Sequence, residues 1–210
     1  MIETPLSSPP ARRSQRWQAV VVLAIGLLVG LIALYLVWQE SRQPAPGPAV
    51  LVEEGGIFPV ASLATVDSKP GQPDAGNLAP DFAIHLPDGT TTTLSAYRGQ
   101  PVLVNFWATW CGPCRLEMPD LVAAQKQYQD KGLVIIEIND SEAHERVAEF
   151  VKEFGMKMPV VIDPIGEVMD SYKTQSLPSS FFIDRNGVVQ VRWIGLMTPE
   201  LLEQNLQRIL

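Results

Sequence analysis

The sequence predicts an α/β domain, a mixed central sheet with helices on both faces, preceded by a single N-terminal transmembrane helix. A strand, a helix and a strand follow one another between Val102 and Asn139, the spacing of a right-handed parallel crossover. Two later extended runs flank Arg185-Asn186-Gly187, a hairpin signal that adds an antiparallel pair. Near the N-terminus, residues 19–37 carry no charge. These three observations fix the fold class and the membrane prediction.

The apolar segment 17–38 has the length needed to cross a hydrocarbon core of about 30 Å, and it has tryptophan at both ends. Arg12, Arg13 and Arg16 precede it, so residues 1–16 are predicted to form a cytoplasmic tail. The rest of the chain is then extracytoplasmic, in a periplasm or on the outer surface. A cleaved secretory signal is the main alternative, although its apolar core usually spans about 7–15 residues. A buried soluble helix is a third interpretation.

The stretch 39–77 is predicted to be an extracytoplasmic linker, because prolines and glycines recur through it. Two apolar patches interrupt it, at residues 50–52 and 57–60, and they could contact either the folded domain or a partner. The sequence leaves this choice open. The folded domain is assigned to residues 78–210.

Within the domain, Ile84–Leu86 and Thr90–Leu94 form a hairpin about a Pro-Asp-Gly turn, and Ser95 is a candidate N-cap for a short helical turn. The apolar, β-branched run Val102–Trp107 predicts a buried central strand. The further predicted elements are a helix from Cys111 to about Asp130, a strand at Leu133–Asn139, a helix at Ser141–Phe154, a strand at Pro159–Asp163, a helical turn at Glu167–Tyr172, strands at Ser180–Asp184 and Val188–Trp193, and a helix from Thr198 to Leu210.

Cys111 and Cys114 are the only cysteines, so the chain has neither a disulfide framework nor a four-cysteine metal site. They lie where the central strand turns into a helix, and unpaired N–H groups at a helix start stabilise a thiolate. We expect Cys111 to attack a disulfide and Cys114 to resolve the mixed disulfide. One structural disulfide is the alternative in an exported protein, but the two-residue spacing favours redox chemistry.

The motif Trp-Cys-Gly-Pro-Cys at 110–114, after an apolar strand, resembles the active site of thioredoxin. The flanking sequences at 79–82, 94–99, 104–110 and 177–184 resemble the membrane-anchored TlpA/ResA group of thioredoxin-like proteins. The resemblance extends over about residues 78–210 and implies a thioredoxin-like fold that reduces disulfides. It implies no cofactor other than the Cys111–Cys114 disulfide.

The resemblance also assigns roles near the cysteines. Glu117, one helical turn after Cys114, would exchange a proton with it, because Asn105 stands where thioredoxin has a buried, titratable aspartate. A solvated surface glutamate is the alternative for Glu117. Pro178 would be a cis-proline beside the active site, leaving the backbone of Leu177 free to pair with a substrate strand. Its alternative is an ordinary proline at the start of a strand.

Three more residues would contact the substrate. Trp110 would shield the site or meet partners, Gly112 would leave room for a partner's backbone, and Pro113 would occupy a helix position that needs no donor. His85 and His144 are far from the cysteines in sequence, and no metal site is predicted.

The net charge of −7, scattered along the chain, argues against nucleic-acid binding. The sequence therefore predicts a thiol–disulfide oxidoreductase that reduces exported proteins, apocytochrome c among the candidate clients, and that draws electrons from a thiol-reducing membrane donor. A thiol oxidase runs the same chemistry backwards. A peroxide-handling redoxin would need a proline and a threonine where Val104 and Ala108 stand, and a copper chaperone would need wider cysteine spacing and a later histidine.

Overall fold

The computed structural model describes residues 13–41, 57–63 and 73–210. The chain divides into two units, residues 1–44 and residues 45–210. The described part of the first unit is one helix, α1 (Arg13–Ser41), of 29 residues. No helix within the three described ranges combines the length and the apolar character that a membrane span requires. Most of the predicted tail 1–16, and the patch at residues 50–52, lie outside the described residues.

The second unit is built on one mixed sheet, as the sequence predicts, but the sheet has eight strands where the sequence predicts seven. Its spatial order is β3-β2-β1-β6-β5-β4-β7-β8. The four strands β1, β6, β5 and β4 are mutually parallel, whereas β2, β3, β7 and β8 pair antiparallel. The strands are β1 (Val60–Ser62), β2 (Ala83–His85), β3 (Thr91–Thr93), β4 (Val102–Trp107), β5 (Val134–Asp140), β6 (Val160–Asp163), β7 (Ser179–Ile183) and β8 (Val189–Ile194).

Helices cover both faces of this sheet, and a separate buried hydrophobic cluster lies on each face. Helices α2, α3 and α5 contribute to one cluster, and α4 and a short 3₁₀ turn contribute to the other. The helices are α2 (Gly112–Tyr128), α3 (His144–Phe154), α4 (Glu167–Ser171) and α5 (Pro199–Leu206), and the 3₁₀ turn is Leu94–Tyr97.

The central strand β4 explains where the site lies. All six of its residues are buried, because helices cover both of its faces and β5 and β7 pair with both of its edges. The chain leaves β4 at Trp107 and enters α2 at Gly112, so the two cysteines lie just beyond the carboxyl end of the central strand. A second 3₁₀ turn follows α2, and Gly132 ends it in the left-handed conformation with φ 80°.

Strand β1 lies inside the stretch that the sequence analysis assigns to a linker. It pairs with β2 on one side and β6 on the other, and Phe58 just before it is buried in the α2-side cluster. Both histidines hold it: the Phe58 N–H donates to His144 Nδ1 at 3.0 Å, and Ser62 Oγ lies 2.7 Å from His85 Nε2. The patch at residues 57–60 therefore packs on the domain.

Three helix boundaries differ from the predicted ones. Ser95 is not an N-cap: Thr93 holds the cap position, and the Ser95 N–H donates to Asp81 Oδ1 at 2.9 Å. Helix α3 begins at His144 rather than Ser141, because Ser141 has a φ of 56°, which a right-handed helix excludes. At the C-terminus α5 ends at Leu206, although its predicted cap is present, with Thr198 Oγ1 accepting from the Leu201 N–H.

Candidate active site

Cys111 and Cys114 are joined by a disulfide at the start of α2, as the sequence predicts. Cys111 is the N-cap residue of the helix, and the Cys114 N–H donates to Cys111 Sγ at 3.2 Å. Both residues are buried, Cys111 with 4% of its surface exposed and Cys114 with none. Reduction would leave the Cys111 sulfur at a helix N-terminus and already bonded to a backbone donor, the environment that stabilises a thiolate.

Gly112 and Pro113 form the exposed first turn of α2 above the buried disulfide. Proline fits there because the first N–H groups of a helix have no partner within the helix. Apart from the adjoining residues and the backbone of α2, no atom lies within 4 Å of a Cβ placed on Gly112, so the space beside this residue is open. A partner's backbone therefore has room beside Gly112.

Glu117 is buried, with 2% of its surface exposed, so the alternative of a solvated surface glutamate is wrong. Its Oε1 accepts from Asn105 Nδ2 at 2.9 Å, and its Oε2 accepts from the Met197 N–H at 3.2 Å. Burial raises the pKa of Glu117 to about 7, against the opposing effect of these two hydrogen bonds. A carboxyl with this pKa can take or give a proton near neutral pH.

A second buried carboxyl lies on the same side of the sheet, and it is not among the site residues predicted from the sequence. Glu137 on β5 is fully buried and pairs in register with Asn105 on β4. Burial, and then the charge of Glu117, raise the pKa of Glu137 well above its ordinary value. The one signal in the sequence is a charged residue inside an otherwise apolar strand. Nothing in the sequence indicates that the Met197 N–H donates to Glu117, because every residue except proline has a backbone N–H.

The opposite rim of the site comes from the start of β7. Phe106 near the end of β4 pairs with Ser179, which places Leu177 and Pro178 at the same end of the sheet as the cysteines. The Leu177–Pro178 peptide bond is cis, as the resemblance implies, and Leu177 packs against the cluster that contains both cysteines. The Pro178 carbonyl already accepts from the Gly195 N–H at 2.8 Å.

Trp110 immediately precedes the disulfide and is 65% exposed, so its indole is available to a partner. The two histidines lie elsewhere, against β1. Among the described ranges, no group of three His, Cys, Asp or Glu side chains is arranged to hold a metal ion. The site thus brings together two sulfurs and, on the same side of the sheet, the carboxyls of Glu117 and Glu137.

The chain is similar in sequence to known thiol-disulfide oxidoreductases. Residues 75–192 match the family model described as the AhpC/TSA family. The thiol-disulfide oxidoreductase ResA of Geobacillus thermodenitrificans is 40% identical over 134 residues, which are 64% of this chain and 77% of that protein. ResA of Bacillus cereus is 38% identical over 142 residues, 68% of this chain and 82% of that protein.

Among solved structures, a putative thiol:disulfide interchange protein DsbE from Chlorobium tepidum is 34% identical, with a TM-score of 0.60 over 65% of this chain and 97% of that chain. The domain thus has the thioredoxin-like fold, and the cysteine pair makes it a thiol–disulfide oxidoreductase of the protein-disulfide reductase type. The chain belongs to the AhpC/TSA family, as a thioredoxin-like protein of the TlpA/ResA type.

Proposed function

We propose that the chain reduces disulfides in exported proteins, with Cys111 as the attacking sulfur and Cys114 as the resolving sulfur. The observation that carries this proposal is the position of the two sulfurs. Cys111 caps α2 beneath the open first turn, whereas Cys114 lies one turn further in and is completely buried. The outer sulfur is therefore the one that a client can reach.

The reduction of a client disulfide takes place in two thiol–disulfide exchange steps. The Cys111 thiolate attacks one sulfur of the client disulfide, which forms a mixed disulfide and releases the second client sulfur as a thiolate that takes up a proton. Cys114 then loses its proton and attacks Cys111 Sγ, which releases the first client sulfur, and this sulfur takes up the second proton. The client gains two electrons and two protons, and the chain returns to the oxidised state. A thiol-reducing donor in the membrane would restore the dithiol.

Glu117 is proposed as the base for the second step. Its carboxyl has a pKa of about 7, so near neutral pH a sizeable fraction is ionised and can accept the Cys114 proton. Asn105 cannot titrate in its place, because a carboxamide has no proton to exchange at this pH. Glu117 lies one turn beyond Cys114 on the buried side of α2.

The substrate would lie between Trp110, Gly112 and Pro113 on one side and Leu177 and Pro178 on the other. The first three residues are exposed, and Leu177 is partly buried at the start of β7. An extended client strand beside Leu177 could hydrogen-bond to its backbone, the way strands add to a sheet edge. Apocytochrome c is proposed as one client, since its haem-attachment cysteines must be thiols.

We also propose that residues 17–38 anchor the chain in the cell membrane, with the N-terminus in the cytoplasm. The support is the uncharged run of residues 19–37, the arginines before it and the continuous helix α1. The catalytic domain would then act outside the cytoplasm. Retention of the chain in membranes after alkaline extraction, with the domain open to added protease from outside, tests this part.

The activity is tested with the 210-residue chain in detergent, with insulin as the disulfide substrate and dithiothreitol as the electron source. We expect the chain to catalyse the reduction of insulin, and we expect the Cys111→Ser variant to show only the uncatalysed rate. Cys114→Ser should instead trap a mixed disulfide, because the resolving sulfur is missing. Catalysis that survives Cys111→Ser would refute the assignment of the attacking sulfur.

The direction of electron flow needs its own measurement, the reduction potential in graded thiol buffers. A value at or below about −220 mV supports a reductase, whereas a value near about −120 mV would make the chain a thiol oxidase. Peroxide turnover is not expected, because Val104 and Ala108, both completely buried, stand at the positions that would need a proline and a threonine.

A further inference from the structure

Glu137 is an acidic residue that is buried without a described partner that could stabilise its negative charge. It lies on β5 two residues after Ile135, which belongs to the α2-side cluster, so its side chain lies on that same side of the sheet. Neither of its carboxyl oxygens has a hydrogen-bond partner among the described residues. Such a group is expensive to bury, which makes a structural role alone a poor explanation.

The surroundings favour the neutral form of this carboxyl. Val160 is its register partner on β6, and α3 contributes Val147 and Phe150 to the cluster. Among the described residues, Glu117 on α2 is the ionisable group whose charge acts on Glu137, and that negative charge also favours the neutral form of Glu137. With no cation facing it from these elements, Glu137 keeps its proton near neutral pH and is therefore a hydrogen-bond donor.

An acceptor without a partner lies on the neighbouring strand. Asn105 Oδ1 is buried and has no hydrogen bond within the described part of the chain, while Asn105 Nδ2 donates to Glu117 Oε1 at 2.9 Å. Asn105 and Glu137 are directly paired on parallel strands, where partner side chains lie on the same side of the sheet. The unpaired acceptor and the unpaired donor thus belong to adjacent side chains.

We propose that Glu137 is a positioning residue for the exchange reaction: its neutral carboxyl donates to Asn105 Oδ1 and so holds the Asn105 amide with its N–H groups toward Glu117. The proposal rests on the proposed role of Glu117 as the base for Cys114. It adds a relay of Glu137, Asn105 and Glu117 beneath the disulfide. Glu137 acts only through the other two residues and does not exchange protons with the sulfurs.

The hydrogen bond that Asn105 donates affects the ionisation of Glu117. The Asn105 donor favours the ionised form of Glu117, the form that can accept the Cys114 proton. Without a donor at position 137, the Asn105 amide is free to turn its oxygen toward Glu117, and that carboxylate loses one of its two donors. Asp120, whose charge opposes ionisation of Glu117, is unaffected by this change.

The test measures the titration of Glu117 directly, by the infrared carboxyl bands of the oxidised 210-residue chain, assigned by their loss in Glu117→Gln. Glu137→Leu should raise the midpoint by about one pH unit, the effect of losing one charge-assisted hydrogen bond. Glu137→Gln should leave the midpoint unchanged, because its amide also donates. Ile135→Val, a small change on the same side of β5, is the matched control and should not move it.

A double-mutant cycle checks that the effect passes through Asn105. Asn105→Ala should raise the midpoint as Glu137→Leu does, and the two together should raise it no further. Equal shifts in Glu137→Leu and Glu137→Gln would overturn the proposal, since only the charge or the proton of Glu137 would then matter. Additive shifts would also overturn it. If Glu137→Leu does not fold, Glu137→Met serves in its place.

The infrared signature separates this proposal from the proposed function. A protonated carboxyl band that persists above the Glu117 midpoint and disappears in Glu137→Gln supports the neutral donor. Absence of that band in the wild-type chain refutes it. Neither readout requires turnover, so a chain with an intact relay but no insulin reduction would contradict the proposed function, whereas insulin reduction without the relay would contradict the inference alone.

Discussion

The two sides of strand β4 differ in what they bury. Val102, Val104 and Phe106 point into a cluster of aliphatic and aromatic side chains, whereas Leu103, Asn105 and Trp107 alternate with them and point toward α2. On the first side the contacts are aromatic. On the second, an amide, two carboxyls and a disulfide share the layer. One strand thus carries a purely structural core on one face and the reaction on the other.

The aromatic side is organised around Tyr172. Its ring centroid lies 5.2 Å from that of Phe106 and 4.8 Å from that of Phe181, and its hydroxyl donates to the Pro80 carbonyl at 2.8 Å. Burial raises the pKa of Tyr172 well above its ordinary value, so it remains neutral. The Phe106, Phe181 and Tyr172 side chains do not change their charge near neutral pH, and we expect this aromatic cluster to determine stability without affecting the chemistry.

The largest expected effect on stability comes from breaking that aromatic side. Phe181→Ala should lower the free energy of unfolding by about 3–5 kcal/mol, since the lost ring leaves a cavity in a packed core. The reduction potential of the folded protein should not change. Urea unfolding and thiol-buffer equilibration measure the two quantities. Leu116→Ala, an exposed apolar position on α2, is the control and should change stability by about 0.5 kcal/mol or less.

The next effect belongs to the reactive side. Because burial raises the pKa of Glu117 from 4.5 to about 7, the unfolded chain releases this proton first, and stability falls as pH rises between these values. The loss is at most about 3 kcal/mol. Glu117→Gln should remove this contribution in the oxidised protein, where the disulfide-bonded cysteines do not titrate.

Urea unfolding between pH 4.5 and pH 7 measures this difference. Glu149→Gln, which removes an exposed carboxyl from α3, is the matched control and should keep the wild-type profile. An unchanged slope in Glu117→Gln would mean that Glu117 does not hold its proton in the folded protein. Glu137 should still contribute a fall in stability with rising pH, since its pKa is also raised.

Elements with a long local pattern were predicted well. The boundaries of β4 are the predicted ones, because five of its six residues are apolar and a Gly-Gln-Pro break directly precedes them. Strand β1 was missed because a strand of three residues after a proline gives no periodicity, and its pairing with β6 depends on a strand about one hundred residues away. The start of α3 was missed because the left-handed conformation of Ser141 has no signature in a serine.

The site shows the same division. The sequence predicts the two sulfurs and Glu117, because their spacing along one helix is a local property. It does not predict that Glu137 is paired with Asn105, since that pairing depends on the register between two strands. The sequence also leaves the burial of Glu117 undecided, because the Met197 N–H that contacts it lies 80 residues further along the chain.

The smallest effect on stability should come from the exposed rim. Trp110→Ala should change the free energy of unfolding by about 0.5 kcal/mol or less, because the indole is largely outside the core. We expect it to raise the KM for insulin by about five- to tenfold, the loss of one aromatic contact at an interface. The rate with a small aromatic disulfide should stay the same, because that substrate reaches the sulfurs without covering the rim. Ile165→Ala, an equally exposed apolar residue after β6, should change neither rate. If Trp110→Ala slows both substrates equally, the indole acts on the sulfur chemistry itself, and the separation between a reactive layer beneath the disulfide and a recognition surface above it would be wrong.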